Sequence, residues 1–320
     1  MKLATTTCDL DKYTNSHCDS IRYIRQAGFR YVDFSFTKND RIREYLFADG
    51  WKKEIERIKA CADEEGVTFV QAHVLGQQSL YSPLWDPDVV RADIVRCIEA
   101  CALLGIPQMV MHGQRSDDFS FDHDKWMDAN RRDLLQFAPW FEEAGINILL
   151  ENGPTKHAIA RQPDGKPYDP PKYYCHAATG KELLELVEYM DHPLVHACWD
   201  TGHANMNGSQ YEHIVDLGDH LMGLHVHDNR SEVDEHALPY FGSMNFDELM
   251  HALLDSGYKG YFTFESCTSL GRERLSHEDR RQFPRDTRLY NIPLELKVSI
   301  EKFLYDAGKH ILQAYNCFEE

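Results

Sequence analysis

Residues 142–153 read EEAGINILLENG: a polar helix end, a glycine, an unbroken apolar run and then an acid. Glycine accepts the left-handed backbone that ends a helix, and a short apolar run directly after it suits a parallel strand buried on both faces. The order recurs in LVHACWDTGH (194–203), LMGLHVHDN (221–229) and YKGYFTFES (258–266), each run stopping on a carboxylate or an imidazole. If these strands are neighbours, Glu151, Asp200, His225 and Glu265 share one rim.

Working outward, the alternation of strand-like and helix-like segments fills the chain. Upstream, LATTT precedes SIRYIRQAG, YVDFSF precedes WKKEIERIKACADEEG, TFVQAHV precedes VVRADIVRCIEACALLG, and QMVMHG precedes WMDANRRDLLQFAPWFEEAG. Downstream, KELLELVEYM, YEHIVDLG, FDELMHALLDSG and ELKVSIEKFLYDAGKHILQAY follow the four runs. Eight β/α units in succession, with no G-x-G-x-x-G fingerprint, predict a closed (β/α)8 barrel over an open doubly wound sheet. With 320 residues and 42% apolar content, residues 1–320 are expected to form a single domain. Catalytic groups then sit at the carboxyl ends of the strands, which makes the last residue of each strand the informative one. Long connections follow strand four (113–124), strand five (154–179) and strand eight (268–291), on the same face. The last carries Arg272, Arg274, Arg280, Arg281, Arg285 and Arg288 among acids, either a grip for an anionic group or a neighbouring subunit, or a solvated loop.

The 52 acidic and 34 basic residues leave a formal charge of −18, which disfavours a polyanionic partner such as nucleic acid. Nine cysteines without a C-x-x-C pair suggest neither a disulfide framework nor a structural zinc, and are expected to be free thiols, with Cys97 and Cys101 in a helix core face. The start, MKLATTTCDLDKY, lacks a secretory pattern and no apolar run is long enough to span a bilayer, so a cytoplasmic location is expected. Homo-oligomerisation is left open.

Three carboxylates cannot all be ionised within a few ångströms without a compensating cation. Convergence of Glu151, Asp200, His225 and Glu265 therefore predicts a divalent metal, with Mn²⁺ first for an oxygen-rich set and Mg²⁺, Co²⁺ and Zn²⁺ also compatible. Around them lie His73 and His112 at the ends of strands three and four, His203 in D-T-G-H, and Asp234 and His236 beyond strand seven. These five serve either to bind substrate hydroxyls or to hold additional metal, and each histidine alone also fits an ordinary core residue.

Taken in order, E-N-G, D-T-G-H, H-x-H-D-N, D-x-H-x-L-P and F-E-S resemble the xylose isomerase-like TIM barrel superfamily over about residues 3–266. That superfamily includes sugar isomerases and epimerases and the endonuclease IV branch. The resemblance implies that Glu151, Asp200, His225 and Glu265 bind the metal and that His203 reaches substrate. His227 is the rival for His225. All nine ligand types of a trinuclear zinc site are also present, but this chain has D-T-G-H and H-V-H-D-N where the nuclease branch has D-T-C-H and H-x-N-D-S.

The expected activity is that of a metal-dependent sugar isomerase or epimerase, with proton transfer beside a carbonyl through a metal-stabilised enediolate. Glu151 and Glu265 would exchange the proton, His203, His236 and Arg115 would orient hydroxyls together with His73 and His112, and Phe36, Trp199, Tyr240 and Phe241 would pack on the sugar. The alternatives are an endonuclease IV-like zinc phosphodiesterase, and a sugar-binding or lyase subunit that needs a partner.

Overall fold

The computed structural model describes residues 1–11, 13–36, 44–75, 80–81, 86–114, 122–154, 176–266 and 292–320. The strands are β1 (Lys2–Thr6), β2 (Tyr31–Ser35), β3 (Thr68–His73), β4 (Gln108–His112), β5 (Asn147–Glu151), β6 (Val195–Asp200), β7 (Leu221–His225) and β8 (Tyr261–Thr263). They pair in parallel in the order β7-β6-β5-β4-β3-β2-β1-β8. A parallel bridge between Val226 and Phe264, just past β7 and β8, joins the two edges and closes the barrel. The expected (β/α)8 architecture is thus present, and Glu151, Asp200 and His225 are the last residues of β5, β6 and β7 at its carboxyl-end rim.

Around the strands lie α1 (Cys8–Asp11), α2 (His17–Ala27), α3 (Trp51–Glu65), α4 (Pro87–Leu104), α5 (His123–Leu135), α6 (Ala138–Ala144), α7 (Gly180–Met190), α8 (Thr201–Asn205), α9 (Tyr211–Leu217), α10 (Phe246–Asp255) and α11 (Leu294–Ala314). The helix expected over 126–145 is divided in two, because Pro139 sits in the first turn of α6 and cannot continue the hydrogen bonding of α5. Gly145 then ends α6 with φ 65°, as the opening stretch predicts.

Strand alternation separates two apolar compartments. Ile148 and Leu150, Ala197 and Trp199, and Leu224 face outward into the large core shared with the helices. Leu149 and Cys198 face inward with Val110, and partly buried Met222 packs against this small cluster in the barrel lumen. With a period of two, the residue that follows each lumen position along its strand by two reaches the rim: Glu151 above Leu149, Asp200 above Cys198. Helix α11 lies against the β1 and β8 side, where a side chain at Gly308 would stand 2.6 Å from Phe264 and 2.8 Å from Leu3.

The expectation of free thiols holds for Cys198 and Cys317 and for Cys97 and Cys101, both buried in α4, and is corrected for one pair. Cys18 of α2 and Cys61 of α3 form a disulfide with Cα atoms 5.6 Å apart. Helix packing brings together two cysteines 43 residues apart, a proximity that no local spacing reveals. Among the described residues no helix is long and apolar enough to cross a membrane.

Non-reducing peptide mapping is expected to return a linked Cys18–Cys61 peptide, and reduction is expected to lower the unfolding free energy by about 2–4 kcal/mol. Recovery of both positions as free thiols from protein kept under air would refute the bridge.

Candidate metal centre

Glu151, Asp200, His225 and Glu265 each offer a ligand atom, and these atoms lie within 4.8 Å of one another. The first three form a closed floor, with side chains 1%, 0% and 1% exposed, while Glu265 is 13% exposed. His225 Nδ1 is 2.8 Å from Glu151 Oε1 and 3.5 Å from Glu265 Oε2. On the other side of Glu151, Oε2 faces His112 Nε2 at 3.2 Å and His73 Nε2 at 3.4 Å, so that His73, His112 and Glu151 make a second compact donor group.

Charge compensation dominates this cluster. Burial opposes ionisation of Glu151, yet His112, His225 and His73 outweigh it and hold its carboxyl well below the usual carboxylate range. The imidazoles answer in kind. Burial alone would depress His73, His203 and His225, and the surrounding carboxylates raise all three, His203 to about 10. Asp200 is likewise lowered against its burial by His203 and His227. Even so, Glu151 Oε2 is buried without a hydrogen-bond partner among the described residues. The metal-free cluster is therefore held by protons on histidines, which a cation can replace.

An outer group surrounds the floor. His203 sits in the short helix α8, whose first turn is capped by Asp200 Oδ1 accepting from His203 N at 2.7 Å. Its Nε2 lies 3.3 Å from Asp234 Oδ2, and His236 Nε2 lies 3.1 Å from the same oxygen. Asp234 is held below the carboxylate range despite its burial, by His236 and His203. His236 adopts φ 45° and is fixed through Nδ1 to the Glu265 carbonyl at 2.8 Å. A histidine in the left-handed region is uncommon and is held there by its surroundings. His236 also joins His227 and Glu265 in a third donor group, whereas no such group among the described residues contains His203 or Asp234.

Of the rivals, His225 enters the floor group and His227 does not. His227 Nε2 instead pairs with Asp200 at 3.0 Å, and its ring stacks on His236 with centroids 4.0 Å apart. Arg115 and the arginines of 268–291 lie outside the described residues. The aromatic contacts expected of Phe36 and Trp199 are corrected. Phe36 and Trp199 are fully buried core residues, with the indole of Trp199 donating to Gln210 Oε1 at 3.1 Å. Tyr240 and Phe241 are exposed and pack on Phe246 and Phe303. Aromatic type alone does not tell a strand's outward face from its rim.

Sequence reading also passed over residues that build the site. Asn152 of E-N-G accepts from Asp200 N at 2.6 Å and donates to Asp200 O at 3.0 Å, locking the ends of β5 and β6. Asp228 accepts from Gly242 N and Met244 N, and Asn229 donates to Gly202 O at 2.7 Å, which shapes the loop carrying Asp234 and His236. Asp33 and Gln71 touch His225 from inside the barrel. Position within the quoted motifs is a signal for Asn152, Asp228 and Asn229; Asp33 and Gln71 lie in motif-free strands.

Comparison with known proteins follows the same lines. The family described as xylose isomerase-like TIM barrel matches residues 21–285. An uncharacterized protein of Methanocaldococcus jannaschii is 29% identical over 143 residues, a match covering 44% of this chain and only 43% of that protein. Fructoselysine 3-epimerase of Escherichia coli O157:H7 is 44% identical over 52 residues, 16% of this chain and 19% of that enzyme. Among solved structures, D-psicose 3-epimerase with D-tagatose, from Clostridium cellulolyticum H10, superposes with a TM-score of 0.69 at 17% identity, covering 98% of this chain and 99% of that one.

The glycine of D-T-G-H and the second histidine of H-V-H-D-N form one spatial pair. A Cβ at Gly202 would stand 1.9 Å from Cε1 of His227, so the imidazole takes the space that a side chain at 202 would fill. Gly202→Ala is expected to destabilise the protein by about 2 kcal/mol, as overpacking does. Adding His227→Asn is expected to recover much of that loss, a non-additivity visible in chemical denaturation. Equal losses with and without His227→Asn would show that the ring is not the obstacle.

Proposed function

The chain belongs to the xylose isomerase-like TIM barrel family, and on that premise we propose that it is a divalent-metal-dependent epimerase of a small keto-sugar. The carrying observation is the buried four-donor floor of Glu151, Asp200, His225 and Glu265. Three carboxylates and one imidazole suit Mn²⁺ first, with Mg²⁺, Co²⁺ and Zn²⁺ also compatible. The buried Glu151 Oε2, faced by the imidazoles of His112 and His73 without a well-aligned hydrogen bond, is the kind of atom that a cation satisfies. When bound, the cation supplies Lewis acidity to a carbonyl and its neighbouring hydroxyl.

The remaining chemistry falls to side chains. A hydrogen on the carbon beside a carbonyl is acidic enough for a carboxylate base once the developing oxyanion is stabilised. Glu151 and Glu265 are the two carboxylates paired with Nδ1 of His225, one to remove that proton and the other to return a proton to the opposite face. His203 and His236, both anchored to Asp234, orient hydroxyls, and His73 and His112 flank the base on the other side. The names of the two 3-epimerases above favour C3 of a 2-ketose, where the hydrogen lies next to the C2 carbonyl. Epimerisation then needs no change in oxidation state.

A second reading, a zinc phosphodiesterase, draws on one observation: Glu151 belongs to two donor groups at once, as a bridging ligand of a multinuclear site would. The barrel does not choose between them, since fold alone does not assign chemistry.

Wild-type protein loaded with Mn²⁺ is expected to exchange a ketose hydrogen with deuterated solvent, to lose that exchange on chelation and to regain it when Mn²⁺ is restored. Glu151→Gln and Glu265→Gln are each expected to slow exchange by about 10²-fold or more with circular dichroism unchanged. Undiminished exchange in both variants would overturn the two-carboxylate mechanism. Metal analysis separates the readings: one metal per chain and no cleavage of abasic DNA supports the epimerase, whereas several zinc ions with cleavage supports the phosphodiesterase.

A further inference from the structure

Behind the metal floor, inside the barrel, lies a buried carboxylate that the proposed reaction does not use. Asp33, on β2, is 1% exposed, and its Oδ1 has no hydrogen-bond partner among the described residues. Its Oδ2 has two: Gln71 Nε2 of β3 at 2.7 Å and His225 Nε2 of β7 at 3.3 Å. Gln71 is also fully enclosed, with Nε2 2.9 Å from His225 Nε2. A buried carboxylate is costly unless charge or hydrogen bonds compensate it. Among the described residues its ion-pair partner is the imidazole whose other nitrogen, Nδ1, faces Glu151 and Glu265.

The barrel makes room for this contact. A Cβ at Gly223, two residues before His225 on the same inward face, would stand 2.7 Å from Gln71 Oε1 and 2.6 Å from Leu149 Cδ1. Any larger residue there would push the Gln71 amide off the strand, and with it the donor that holds Asp33 in place. Three strands that are not all adjacent are thus tied through the lumen by one polar cluster.

We propose that Asp33 is a positioning residue for the metal site: its Oδ2 accepts the Nε2–H of His225, keeping the proton on that nitrogen so that the Nδ1 lone pair is free for the cation. Metal-binding histidines characteristically present their second nitrogen to a carboxylate or carbonyl, which fixes tautomer and ring orientation and makes the ligand more basic. Without Asp33, Nδ1–H donation to Glu151 at 2.8 Å competes with metal binding. Gln71 donates to Asp33 Oδ2, but its Nε2, 2.9 Å from His225 Nε2, would also donate to that nitrogen were it unprotonated, so the Asp33 carboxylate has to outweigh the amide to keep the proton on Nε2. The inference rests on the four-donor cation site proposed above and concerns affinity and orientation, not the reaction catalysed there.

Calorimetric titration of metal-free wild type and Asp33→Asn with Zn²⁺ tests it, with metal-free thermal unfolding of both as the control for folding. The expected result is that Asp33→Asn unfolds as wild type does without metal and binds the ion about 10-fold or more weakly, since loss of such an outer partner costs about 10–100-fold. Equal affinities overturn the role of Asp33 and leave the cation site standing. Failure of wild type to bind any ion removes the cation site itself. Should Asp33→Asn not fold, ¹⁵N-histidine spectra of Zn²⁺-loaded wild type decide, with His225 assigned by its loss in His225→Gln. Protonation at Nε2 supports the proposal; protonation at Nδ1 overturns it.

Discussion

Too many buried carboxylates converge on one rim, and the whole upper half of the barrel is arranged around that excess of negative charge. Glu151, Asp200 and Asp33 are almost completely enclosed, and Asp234 and Glu265 stand close by. Among the described residues each is met by histidines rather than by lysine or arginine. The choice has consequences. A lysine or arginine would neutralise the site permanently, whereas an imidazole that yields its proton to an arriving cation can serve as a ligand itself. A histidine-compensated acidic cluster is therefore stable without metal and still receptive to one.

The fold and the floor of the site were legible because both follow from strand periodicity. Buried parallel strands advertise themselves as apolar runs, glycine stops mark the helices before them, and a period of two sends the terminal residue of each run to the rim. ILLENG and ACWDTGH carry that logic in full: Leu149 and Cys198 line the lumen, and Glu151 and Asp200 emerge above them. The choice of His225 over His227 needed the resemblance as well, since alternation puts both on one face, and the geometry separates them by partner rather than by direction.

What escaped the sequence depends on contacts between segments far apart in the chain. Trp199 stands next to Asp200 and reads equally well as a sugar platform or as core; only the packing of α9 behind β6, with Gln210 receiving the indole proton, decides for core. Cys18 and Cys61 become partners only when α2 lies on α3. Asp33 sits in YVDFSF as an isolated acid between apolar neighbours, and nothing local states that a histidine on the opposite side of the barrel awaits it. Gly202 and Gly223 were equally silent, for a glycine's contribution there is the volume it leaves to His227 and to Gln71.

These cross-barrel contacts mean that the site is not a graft on a finished scaffold. His73 from β3, His112 from β4, Glu151 from β5, His225 from β7 and Glu265 just beyond β8 are linked by ionic contacts around the rim, Asp33 from β2 joins them from inside through His225, and Asp200 from β6 joins them through His227, Asp234 and His236. Below them the lumen core is small, being built on Val110, Leu149 and Cys198. The apolar term that holds the outer helices to the strands therefore does little to fix the strand ends relative to one another, and that task passes to the polar ring. A ligand that binds only the folded arrangement stabilises it by mass action. A cation at the floor would touch β5, β6, β7 and the segment just beyond β8 together, and so would hold several strand ends at once.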